Sequence, residues 1–121
     1  MTQVFDLDGT RLAAMAARAR AADVTIPLIA GVAVYTDERS VEVLQNFLSP
    51  HLDREQVKRV LAAPDPVAAG IAAAVAEARA LLAVDGVVGV NLSGPASDRG
   101  EVFAAQVEAA VGREIIGDGT R

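Results

Sequence analysis

Three apolar runs, TQVF at 2–5, TIPLIAGVAVYT at 25–36 and VVGVNL at 87–92, are separated by stretches of helical periodicity. This alternation constrains the fold more than any other feature. Its order, β α β α α α β α, predicts a parallel α/β sheet or barrel. The middle run is almost unbroken for about ten residues, as expected of a strand covered on both sides. Pro27 belongs at its first residues, where a missing N–H donor costs least.

The helical segments carry their own start and stop signals. In RLAAMAARARAADV, Leu12, Met15, Ala16 and Ala19 share one face. Thr36 and Asp37 can cap a helix through ERSVEVLQNFL, with Val41, Leu44 and Leu48 inward and Ser49-Pro50 ending it. Asp53 and Gln56 form a capping-box pattern before the apolar face of Val57, Val60 and Leu61. Asp65-Pro66 opens a long helix in which Val67, Ile71, Val75, Ala78 and Leu82 recur until Asp85-Gly86. Asp98 with Glu101 predicts the start of a last helix through Val102, Phe103, Val107 and Val111. Residues 113–121, ending GDGTR, read as a frayed tail.

At 121 residues with no linker-like stretch, residues 1–121 form a single domain. Apolar residues reach 52% but aromatics only 3%, so the core must rest on Val, Leu, Ile and Ala. A net charge of -5 leaves no basic face for phosphates, which argues against a nucleic-acid partner. The absence of cysteine excludes disulfides and thiolate zinc, and a single histidine excludes a His-rich metal site. The apolar stretch 66–84 carries Glu77 and Arg79 at its middle and reads as a soluble helix, with no membrane span expected. No signal peptide is visible, and a cytoplasmic location is the default expectation.

The phrase VFDLDGT at 4–10 resembles the signature of the haloacid dehalogenase-type phosphatases. That resemblance would make Asp6 the nucleophile and Asp8 the proton handler, both beside Mg²⁺. Such a site also needs a hydroxyl after a second strand, a lysine and a further acidic group, for which Thr36, Lys58 and Asp118 are available. Only Ile115 and Ile116 precede Asp118 as strand-like residues, and Lys58 falls in a short helix. The competing reading is a strand-end turn in which Asp8 caps the next helix.

Four phrases taken together, TQVFD, VTIPLIAGVAVYTD, PDPVAAGI and GVVGVNL, resemble in order and spacing the last part of methylenetetrahydrofolate reductase. The resemblance covers nearly the whole chain and corresponds to strands six to eight of that family's flavin-containing (β/α)8 barrel. It implies the C-terminal part of a TIM-type barrel, incomplete in this chain. The family reduces methylenetetrahydrofolate with a nicotinamide donor, and Gln3 matches its pterin-binding glutamine. A side-chain amide offers both donors and an acceptor to a pterin edge.

Asn91 stands where the family has histidine, and NLSGPASD replaces an aromatic-rich phrase. The family's general-acid glutamate and flavin-tuning aspartate belong to earlier strands. The FAD site is therefore expected to be absent, with no reductase turnover by the chain alone. An open barrel exposes strand edges, so a fragment, a partner chain supplying strands, or a homo-oligomer is expected.

The remaining polar features read plainly. His51 is a surface histidine in a loop. Gly31 marks either a close approach or a bulge. Gly94 and Gly100 fit neither a P-loop nor a dinucleotide fingerprint. Three functions stand after the sequence: a methylenetetrahydrofolate reductase-like barrel part with a folate-type ligand, a Mg²⁺-dependent phosphatase, and a non-catalytic binding or assembly module.

Overall fold

A computed structural model describes residues 9–48, 52–94 and 96–119. Its elements are α1 (Thr10–Ala21), β1 (Leu28–Ala33), α2 (Glu38–Leu48), α3 (Arg54–Ala62), α4 (Pro66–Leu82), β2 (Val87–Ser93) and α5 (Glu101–Gly119). The two strands pair in parallel, with Ala30 opposite Val90 and Val32 opposite Leu92. They make an open two-stranded α/β sheet, and no barrel closes among the described residues. The expected first strand at 2–5 lies outside the described residues.

Pro27 sets where β1 begins. It has no N–H to give, and the first backbone bond is made one residue later, from Leu28 N to Gly86 O at 3.0 Å. The strand is shorter than the apolar run: it ends at Ala33, and one further bond, from Val34 N to Ser93 O, precedes the turn toward α2. From Ala30 to Ala33 the strand is buried throughout, as expected. β2 differs. Only Val87 is buried, and the rest of the strand stays half-buried or exposed.

Helix α4 is the centre of the packing. Its Ala74, Val75, Ala78 and Leu81 join Leu12 of α1, Ala30 and Val32 of β1, and Val107 and Val111 of α5 in the main core. A second cluster puts Ala33 and Tyr35 against Val41 and Leu44 of α2 and Val60 of α3. Small residues let the helix lie close to the sheet. Gly70 shows this most directly, since an added Cβ would sit 2.1 Å from the carbonyl oxygen of Tyr35.

The caps follow the sequence where they are local. Asp53 accepts from Gln56 N at 2.9 Å and Asp65 from Ala68 N at 3.1 Å, each satisfying a first-turn donor that the helix cannot. Pro66 follows at the first helical position.

The last helix departs from expectation at both ends. It opens at Glu101 after Gly100, whose φ of 97° makes the turn, so Asp98 is not its cap. Its inward residues are Ala104, Val107 and Val111, at spacings of three and four, which turns Val102 outward at 74% exposure. Its helical backbone continues to Gly119, and Ile115 packs on the core, so residues 113–119 belong to the helix and not to a frayed tail. Among the described residues no helix is long and apolar enough to cross a membrane.

Candidate functional site

Parallel α/β sheets bind ligands outside the carboxyl ends of their strands, where loops and helix N-termini converge. In this chain that position is formed by residues 34–37 after β1 and by Gly94 and residues 96–100 after β2. The sheet extends into it through a bond from Val34 N to Ser93 O at 2.8 Å. Gly94 is required there, because a Cβ would lie 2.5 Å from Val34 O.

Asp37 organises the site. Its Oδ1 accepts from Ser40 N at 2.8 Å, capping α2, while Ser40 Oγ donates to Asp37 O at 2.8 Å. Ser40 Oγ in turn accepts from the backbone N–H groups of Thr36 and Asp37, each at 3.1 Å. The other carboxylate oxygen of Asp37 reaches across the site. It accepts the Ser97 hydroxyl at 2.6 Å and Asp98 N at 3.1 Å. Burial pushes the Asp37 carboxyl up, but the Ser97 hydroxyl, Ser40 and Asp98 N together hold it below the usual aspartate value.

The result is a strap between the two strand-end loops. Thr36 and Ser40 are buried beneath it. The space left among Thr36, Ser40, Gly94 and Ser97 is about 10 Å³, room for about one water. Beside it Glu108 of α5 accepts from Gly94 N, and burial, the larger effect, raises its carboxyl above the usual value.

The residues singled out by sequence are scattered relative to this site. Gln3, Asp6, Asp8 and His51 lie outside the described residues. Thr36 stands at the strand end as expected. Lys58 is on the exposed face of α3, 3.9 Å from Glu55, and position 118 falls in the last turns of α5 rather than after a strand. Asn91 lies in β2 opposite Gly31, half-buried, with Gly31 buried in β1. Among the described residues no three His, Asp or Glu side chains are placed to hold a metal ion.

Two features escaped the sequence reading. Asp37 was legible as a cap, but its reach to Ser97 spans 60 residues and leaves no local pattern. The second is a groove of about 460 Å³ between α3 and α4, with Gln56, Arg59 and Glu77 around an alanine floor. Glu77 is buried there, and Gln56 bonds to the Tyr35 hydroxyl. Burial, the largest influence, pushes the Tyr35 phenol up to about 12 against the opposing pull of Gln56. In comparisons with known proteins, no family model matches this chain, and no curated protein and no solved structure matches it.

Proposed function

We propose that this chain is an assembly module, a set of parallel β/α units whose sheet is completed by strands from another chain, and that it does not turn over substrate alone. The observation that carries this reading is β2. It is the last strand of an open sheet, it is only half-buried along most of its length, and Val88 at its start is 66% exposed. Among the described residues a Cβ on Gly89 would meet nothing within 4 Å, so they leave that side of the strand uncovered. Parallel strands are ordinarily buried on both faces, and an unpaired edge offers a row of free backbone donors and acceptors.

The saturated Asp37 carboxylate supports the same reading. A group that accepts three hydrogen bonds and lies in a closed site holds loops together and is poorly placed to attack a substrate. The specific form of the proposal rests on the four sequence phrases. In it, the chain supplies strands six to eight of a methylenetetrahydrofolate reductase-type barrel, with Gln3 toward a folate-type ligand and FAD held by residues outside this chain.

Light scattering on the purified protein tests the proposal. Association beyond the 12.5 kDa monomer is expected, because an uncovered parallel strand finds its own kind when its partner is absent. A stable, monodisperse monomer contradicts it. A yellow protein that consumes NADH with methylenetetrahydrofolate contradicts the statement that the chain is inactive alone.

A further inference from the structure

We propose that the outer face of α5 pairs in parallel, about a two-fold axis, with the same face of a second copy of this chain. The surface is separate from the β2 edge. Ala104, Val107 and Val111 turn the inner face of α5 to the core, and a helix covered on one side is ordinarily polar on the other. This one is not. Val102, Ala105, Ala109, Gly112 and Ile116 recur at spacings of three and four, the a and d positions of two heptads, on the side opposite the core. Val102 and Ile116 are 74% and 64% exposed, Ala105 and Ala109 are exposed, and a Cβ on Gly112 would meet nothing within 4 Å.

The stripe fits its own copy. It is about 21 Å long at about 1.5 Å per residue and holds no charged residue. Its small residues lie in the middle, where two crossing helices come closest, and its bulk lies at the ends. In a parallel pair the β-branched Val102 and Ile116 each meet their counterpart at a positions, the choice that favours two parallel helices.

The flanks decide the direction. Glu101 and Glu108 take g positions and Gln106 and Arg113 take e positions, so a parallel pair sets Glu101 beside Gln106 and Glu108 beside Arg113 of the second copy. Arg113 makes no ion pair among the described residues. Glu108 already accepts from Gly94 N, and a carboxylate takes several donors. An antiparallel pair centred on Ala109 would instead bring the two Glu108 side chains together on one flank, like charge against like. Because α5 is already held by the fold, pairing needs no further ordering of its backbone. The seam is shorter than a standard interface, so the dimer is weak, dissociating at roughly 10 μM or above.

The chain has no cysteine, so single introduced thiols report the geometry. Val102→Cys, Ala109→Cys and Ile116→Cys are oxidised separately in the full chain, with Glu55→Cys, exposed on α3, as the measure of chance collision. Each seam thiol is expected to link to its counterpart about tenfold faster than Glu55→Cys or more, because only close backbones form the bond. Adding Ala109→Glu to Val102→Cys is expected to bring its rate down to that of Glu55→Cys. Seam thiols that link no faster than Glu55→Cys overturn the proposal and leave the stripe to a chain of another sequence. An Ala109→Glu without effect overturns it as well. So do Val102→Cys and Ile116→Cys that link to each other in a mixture but not to themselves, the mark of the antiparallel pair. In Val88→Lys the same links are expected, and their loss there would assign them to the β2 edge and overturn the α5 seam. Failure of the seam in the parent leaves the β2 reading standing.

Discussion

The Asp37 carboxylate and the Ser97 hydroxyl, 60 residues apart in sequence, meet at 2.6 Å across the carboxyl ends of β1 and β2. The same carboxylate caps α2 through Ser40 N. One side chain therefore joins a local duty to a long-range one. Asp37→Ala removes both and leaves the part-buried Ser97 hydroxyl and the exposed Asp98 N–H without their acceptor. A loss of about 2 kcal/mol is expected from chemical denaturation.

The acid side of the stability profile follows from the same group. The Asp37 carboxyl is lowered in the folded chain, so its contribution is complete above the unfolded value and is lost as pH falls through the folded one. Asp37→Asn should be less stable than the parent at neutral pH. The gap should close as pH falls below about 4. Urea midpoints measured across that range check the sign.

Glu108 runs the opposite way. Its carboxyl is raised, so the folded state disfavours the charged form, and the penalty is absent below the unfolded value and complete above the folded one. Glu108→Gln keeps an acceptor for Gly94 N and removes the charge. It should stabilise the chain at neutral pH and make little difference below about pH 4. A variant less stable than the parent at neutral pH would count against this placement of Glu108.

Two glycine substitutions, both within helices, should differ in sign. Gly70→Ala puts a methyl group 2.1 Å from Tyr35 O and 2.9 Å from Thr36 Cγ2, forcing α4 away from the end of β1. A loss on the order of 2 kcal/mol is expected from overpacking, beyond any gain in helix propensity. Gly112→Ala meets nothing within 4 Å in α5 and should gain about 0.5–1 kcal/mol. Thermal melts of the two variants against the parent decide this.

How much of this was legible in the sequence depends on the range of each interaction. The caps at Asp53 and Asp65 were readable because acceptor and donor sit three residues apart. The Asp98/Glu101 pair has the same spacing, yet Asp98 N is drawn to Asp37 and the helix begins later. Val102 faces outward because it lies five residues, well over a quarter turn, from the inward Val107. In α4 the alanine-rich sequence conceals its faces, since a methyl group fits both a core and a groove. Gly70, Glu77 and the α3/α4 groove were unreadable for that reason.

The single tyrosine gives a titration free of overlap. With the Tyr35 phenol pushed up to about 12 by burial, the folded chain should ionise it well above the ordinary value of 10.0. Because the folded value is raised, its stability contribution is complete below the unfolded value and is lost as pH rises from there toward the folded one. Absorbance of tyrosinate, followed with and without denaturant, should show two separated curves. Coincident curves would place Tyr35 in solvent.

Sedimentation velocity on the parent chain and on Val88→Lys tests most directly whether the uncovered β2 is an assembly surface. Val88 is 66% exposed at the start of that strand, and a lysine there blunts pairing without touching the core. The parent should sediment as an associated species, and Val88→Lys should shift it toward the monomer. A parent that is monomeric at all concentrations, or a Val88→Lys variant that associates as the parent does, would contradict the proposal.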